Sequence, residues 1–170
     1  MTALVVIIGA DTTTVSVGEL QYVVPVGAAM LTNAFLTTDP PRPEELTNAI
    51  GLCTDHFDDL VRGVPDITEA TCVQVAGHEI TAIAAVEAGH RLALPFVLSR
   101  GAAEDVFRTL ATEPTVARAH NPGLEAPLVG TVVAGCCVLV ALIRRLHLDQ
   151  VEVIDVVEVI DVVNLITDAT

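Results

Sequence analysis

Two glycine-bearing turns hold the residues that could do chemistry. Gly9-Ala10-Asp11-Thr12-Thr13-Thr14 follows the hydrophobic run Leu4 to Ile8, and Ala76-Gly77-His78-Glu79-Ile80-Thr81 follows a second run, Cys72 to Val75. Each has the outline of a strand–turn unit whose backbone amides could face an anion. Gly9, Thr12, Thr13, Gly77 and Thr81 are the phosphate-binding candidates on that reading. Each turn also carries an acid at its mouth, Asp11 in the first and Glu79 in the second, where it would repel an anion. Asp11 beside Thr12 and Thr13 is the one candidate for a weak Mg²⁺ ligand, because carboxylate and hydroxyl oxygens suit a hard cation. No other cofactor is expected.

Other constellations read as structure. His78-Glu79 has no second His at helical spacing, and an exposed turn pair is the better reading. Asp55, His56, Asp58 and Asp59 fall mostly opposite Leu46, Cys53 and Leu60, which makes them a solvated helix face rather than a metal cluster. Cys53, Cys72, Cys136 and Cys137 lie inside apolar runs without metal or redox spacing, as small buried hydrophobes do. Ser99 lacks a nucleophile-elbow context and fits a helix cap.

Composition narrows the partners. The net charge is −14, from 22 acids against eight Arg and no Lys, a field that opposes nucleic acid, polyphosphate and anionic membrane. Hydrophobic residues make up 52% of the 170, so the danger is exposed apolar surface rather than a shortage of core. Aromatics are only 3%, which leaves Val, Ile, Leu and Ala to fill that core. Met1-Thr2-Ala3 lacks the basic start of a leader, and a cytoplasmic location is expected. Ala126 to Ile143 runs 18 residues without a charge, the lower limit for a membrane span, though a central buried helix is favoured.

These residues need elements to position them. Leu4–Ile8, Thr13–Val17 and Tyr22–Val26 read as three strands in succession. A Pro-rich loop, Thr37 to Pro43, leads into a helix whose apolar face is Ala49, Ile50, Cys53, Phe57, Leu60 and Val61, ended by Gly63 and Pro65. Thr71–Val75 is a fourth strand, Ile80 to Ala88 a helix stopped by Gly89, and Ser99 starts a helix reaching Leu110. Asn121-Pro122-Gly123 is a turn, Leu128 to Leu146 a long apolar helix, and Val151–Ile154 a further strand. Asp155 and Glu158 have capping-box spacing for a last helix, although the near-tandem Val-Glu-Val-Ile-Asp-Val at 151–156 and 157–162 also suits strand. The order implies α/β with a mixed sheet of about five strands and flanking helices, one domain over 1–170.

The chain resembles the second lobe of the Ppx/GppA family, the exopolyphosphatases and guanosine-pentaphosphate phosphohydrolases, over about residues 3–163. The matching stretches are Val26 to Thr32 with Asp39-Pro40-Pro41, Thr81 to Gly89, Asn121-Pro122-Gly123, the helix from Leu128, and Leu148-Asp149-Gln150-Val151. The resemblance implies a single ribonuclease-H-like lobe of the actin-type ATPase fold. The family's first phosphate loop here reads Asp-Ile-Gly-Gly-Gly-Ser-Thr-Glu. Its opening Asp falls on Ile7, its closing Glu on Thr14, and its glycines on Gly9, Ala10 and Asp11. A Gly-Thr pair in the second loop becomes His78-Glu79, and the Arg of a His-Pro-Gly-Arg turn falls on Leu124. The Arg of the family's Gly-x-x-Arg-Leu-Thr stretch is also absent, in Ala28-Ala29-Met30. Packing residues match while catalytic ones do not, and the family's first lobe, with the other wall of the cleft, has no counterpart in the sequence.

The expectation is a catalytically impaired, self-associating interaction lobe that forms a homodimer. The alternative is a phosphohydrolase or nucleotide binder, Mg²⁺-dependent, whose cleft a second chain completes. The tail repeat and the uniform loss of catalytic residue types also suit an engineered or reconstructed half-domain.

Overall fold

The computed structural model describes residues 3–157. The expected helix beyond Val157 and the second copy of the tail repeat lie outside the described residues. Six strands form one mixed sheet in the order β3-β2-β1-β4-β6-β5. They are β1 Ala3–Ile8, β2 Thr13–Val17, β3 Leu20–Val24, β4 Cys72–Ala76, β5 Phe96–Ser99 and β6 Gln150–Val153. The first three make an antiparallel meander, β1 and β4 pair in parallel, β4 and β6 in parallel, and β5 closes the far edge antiparallel to β6.

The helices are α1 Ala28–Ala34, α2 Pro43–Gly63, α3 His78–Ala88, α4 Arg100–Thr112, the single turn α5 Thr115–Arg118, and α6 Val132–Arg145. α2 begins as its sequence requires: Pro43 sits where no amide is needed, and Glu45 turns back so that the Arg42 amide donates to it at 2.7 Å. α3 ends on Gly89 in the left-handed region (φ 77°). Ser99 caps α4, its hydroxyl oxygen accepting from the Ala102 amide at 3.1 Å.

The core lies on one face of the sheet. Leu4, Val6, Ile8, Val15, Val73, Val75, Leu98, Val151 and Val153 point into it, all buried. α6 runs through its centre, with every residue from Val132 to Ile143 buried against α1, α2, α3 and α4. Among the described residues no helix is long and apolar enough to cross a membrane.

Several expectations are corrected. The sheet has six strands rather than about five, because Phe96–Ser99 pairs with β6 over a stretch whose four residues show no apolar alternation. The third strand is Leu20–Val24, two residues earlier than Tyr22–Val26, since its register is fixed by the tight turn at Gly18-Glu19. The long helix starts at Val132, not Leu128; Pro127 holds Ala126–Leu128 in a separate 3₁₀ turn. Helix α1 was not expected at all.

Candidate functional site

The two turns leave the same end of adjacent parallel strands, β1 and β4, where ligands of open α/β sheets bind. They approach closely. Gly77 is left-handed in φ (149°), and a Cβ there would stand 2.6 Å from the Ile8 carbonyl oxygen, so only glycine lets the second turn pass the first.

The first turn is bonded to the start of α1. Gly9 donates to the Thr12 carbonyl at 2.9 Å; the Gly9 carbonyl accepts from the Ala28 amide, and the Ala10 carbonyl from Ala29 and Met30. Gly27 permits this contact, because a Cβ there would meet the Ala10 carbonyl at 2.4 Å. The amides that open α1 are therefore satisfied by the loop's own carbonyls. Thr13 is fully buried, and its hydroxyl donates to the Val26 carbonyl at 2.8 Å, so the structure takes it away from the turn's surface. Asp11 and Thr12 are exposed at the tip, with Gly9 half-buried beneath them.

The second turn is the first turn of α3 rather than a loop. His78 is exposed as expected, but Glu79 is not: it is half-buried, and Thr131 donates its hydroxyl to Glu79 Oε1 at 2.8 Å. Gly135 of α6 leaves room for it, since a Cβ there would stand 2.5 Å from Glu79 Cβ. The helix dipole favours a carboxylate here, and the anion at the start of α3 is thus supplied by the chain itself. Thr81 lies one turn along, half-buried.

A cleft of about 620 Å³ takes in His78 and Thr81 together with Arg91, Leu94, Glu125 and Asp155. It includes none of the first-turn candidates, so Gly9, Thr12 and Asp11 are not brought into one cavity with Thr81.

A divalent ion is not matched by these residues. Ile7 and Thr14 are cross-strand partners, and neither bears a charge. Asp11 is the one acid of the first turn, whereas Mg²⁺ held by protein favours carboxylates in octahedral geometry. Among the described residues no group of three or more His, Cys, Asp or Glu could hold a metal. The acids of α2 have other tasks. Asp59 pairs with Arg62 at 3.2 Å, while Asp58 is half-buried against Arg145 of α6, a correction to the solvated-face reading. All four cysteines are free. Burial pushes the thiols of Cys53 and Cys136 up to about 12, and that of Cys137 well up, so none of these three is a nucleophile.

Sequence reasoning missed two polar centres beside this site. Glu45 is buried and accepts from the hydroxyls of Thr38 and Thr37, at 2.7 Å for Thr37, and from the Arg42 amide. Arg118 is buried too, donating to the carbonyls of Leu110, Glu113 and Val129 at 2.9, 2.8 and 3.2 Å. The hydroxyls of Thr37-Thr38 ahead of a helix-starting Glu were the available signal for the first. Nothing local marks the second.

No protein-family model matches the sequence, and no curated protein matches it. Solved structures do. An exopolyphosphatase-like protein superposes with a TM-score of 0.84 at 18% identity, covering 90% of this chain and 55% of its own. The chain has the fold of one lobe of a Ppx/GppA phosphatase. The Aquifex aeolicus PPX-GPPA enzyme gives 0.81 at 20% identity, covering 91% and 54%. An exopolyphosphatase from Cytophaga hutchinsonii gives 0.71 at 16%, covering 91% and 53%. The chain thus spans about half the length of the Ppx/GppA structures it matches, and the similarity concerns the mixed sheet and its helices.

Proposed function

We propose that the chain is a non-catalytic Ppx/GppA-like lobe that works by association, in the first place with a second copy of itself. One observation carries this reading: part of the polar groups at the two turns is already committed to the protein, and an acid stands at each. The Gly9 amide donates to Thr12, the amides of Ala28, Ala29 and Met30 donate to the carbonyls of Gly9 and Ala10, the Thr13 hydroxyl is buried on Val26, and the Glu79 carboxylate stands at the start of α3. Phosphoryl transfer depends almost wholly on positioned donors and cations around the transferred group. Here the formal charges on the two turns themselves, Asp11 and Glu79, are negative. Both edge strands support the association half of the proposal. Leu20 and Val23 on β3 are 61% and 65% exposed, and Val97 on β5 is 54% exposed. Edge strands that combine apolar side chains with open backbone groups pair readily with another chain.

A second reading has one observation in its favour, the convergence of both turns at the ends of β1 and β4. It makes the protein a phosphohydrolase or nucleotide binder whose cleft is completed by a second chain. Gly9, Thr12, Gly77 and Thr81 would then meet the phosphate and Asp11 the Mg²⁺. Polyphosphate, guanosine pentaphosphate and ATP, each with Mg²⁺, separate the two. The proposal expects no phosphate release and no heat of binding, together with a dimer mass by light scattering. Release above the uncatalysed rate that depends on Asp11 would overturn the first half. A monodisperse monomer at high concentration would overturn the second.

A further inference from the structure

The two edges of the sheet differ in what they offer another chain. β3 follows β2 through the turn Gly18-Glu19, with Gly18 at a φ of 58°, so Val17 and Leu20 form the hydrogen-bonded pair that closes the hairpin. Hydrogen-bonded pairs then recur at Val15–Tyr22 and Thr13–Val24. The amides and carbonyls of Gln21 and Val23 therefore point away from β2, and among the described residues no strand lies beyond β3. On β5 the Arg100 amide donates to the Asp149 carbonyl at 2.8 Å, which puts Leu98 and Phe96 in the inward pairs and turns Val97 and Ser99 outward. Ser99 is already the cap of α4, its carbonyl the first acceptor of the helix. Val97 is thus the one residue β5 presents whole, against Gln21 and Val23 on β3.

Nothing on β3 defends it. Leu20-Gln21-Tyr22-Val23-Val24 carries no charge, no proline and no bulge, the devices that keep edges apart, and Leu20, Gln21 and Val23 are exposed. Charge decides how a second copy could approach. In a chain of net −14, two copies must meet where neither brings an acid against the other. The nearest acid along the strand is Glu19. Antiparallel pairing about a two-fold axis at Tyr22 sets Glu19 opposite Pro25 of the second copy, so the two Glu19 residues stand about 20 Å apart along the strand. That is well beyond the Debye length of about 8 Å at 0.15 M salt. Parallel pairing would set them side by side.

The geometry points to a two-fold β3–β3 pairing centred on Tyr22 as the surface on which two copies associate. It rests on the association reading and specifies the surface that reading needs. Gln21 of each copy faces Val23 of the other, which makes about four main-chain hydrogen bonds and joins the two sheets into one. Tyr22 takes the close, non-hydrogen-bonded position, with Cα atoms about 4.5 Å apart. Its ring shares the face of its β2 partner, the buried Val15, so the two rings lie together on the helix-bearing side.

Tyr22 is the chain's only tyrosine, which gives the pairing a chemical signature. The mass of the full chain is measured by light scattering, and the sample is then briefly oxidised with a photoactivated ruthenium complex and persulfate. The oxidant removes an electron and a proton from each phenol, and neighbouring rings join through a carbon–carbon bond. A dityrosine-linked dimer is expected, in a yield that follows the dimer fraction on dilution. Because this is read in the parent chain, the test holds even where a variant fails to fold. Val23→Glu, at an exposed position, should keep the fold by circular dichroism, weaken dimerisation about tenfold or more and lose the cross-link in step. Val97→Glu on β5 should leave both unchanged. Dimer mass without the Tyr22 cross-link, or dimerisation lost in Val97→Glu but not in Val23→Glu, would overturn this surface and leave the association reading standing. A monomer at high concentration would overturn both.

Discussion

At the scale of single residues, Glu45 shows how a surface-type residue becomes a fixed point. Hydrogen bonds from the Thr38 and Thr37 hydroxyls, then from the Arg42 amide, hold its carboxyl down to about 2 from an ordinary 4.5. A carboxylate with a depressed folded pKa stabilises the fold fully above the unfolded value, and the contribution fades as pH falls through the window toward 2. Thermal melts of Glu45→Gln and the parent should therefore differ most at neutral pH and converge between about pH 4.5 and 2. A constant difference across that window would show that shape, not charge, holds the Thr37–Pro43 loop. Glu104 is a milder case: its hydrogen bond from Arg144, at 2.7 Å, lowers its pKa, and the pair is partly exposed. Glu104→Gln is expected to change stability by no more than about 1 kcal/mol, read by urea titration.

At the scale of elements, Arg118 holds the joint between α4, α5 and the approach to α6. Its planar fork reaches three carbonyls, two at the end of α4 and one at Val129 ahead of α6, and burial lowers its pKa despite the charges of Asp39 and Glu113. Arg118→Lys keeps the charge but cannot aim three donors in one plane. Buried carbonyls left without a donor cost about 1–3 kcal/mol each, so the variant should lose about 2–4 kcal/mol in urea unfolding. A fully stable Lys variant would mean that charge alone suffices. The strands β1 and β4 were legible because continuous apolar runs mark buried parallel strands. β5 was not, because an edge strand with one buried residue carries almost no pattern.

For the whole molecule, 22 acids against eight Arg set the behaviour. Repulsion among them opposes the compact state and is screened as the Debye length falls from about 30 Å at 0.01 M salt to about 8 Å at 0.15 M. The melting temperature should rise over that range. The surface pairs Arg62–Asp59 and Arg108–Asp105 push the other way, but exposed pairs are worth only about 0–1 kcal/mol. A melting temperature that fell with salt would show that paired charges outweigh the net field.

By itself the sequence determined the class of fold, the central apolar helix, the helix ends at Gly89 and Ser99, and the excess of acid over base. All of these follow from residue types at short spacing, where sterics and hydrogen bonding act within a turn or two of chain. Only the tertiary structure decided what the two turns do with their polar groups. Glu79 looked like an exposed acid until Thr131, 52 residues away, was placed against it. Thr13 looked like a ligand until Val26 closed over its hydroxyl, and a second apolar row on the sheet became visible only when strand registers aligned Val23, Ile7 and Ala76. Partners far apart in the chain leave no local periodicity, so burial and hydrogen-bond satisfaction across them are settled when the layers pack.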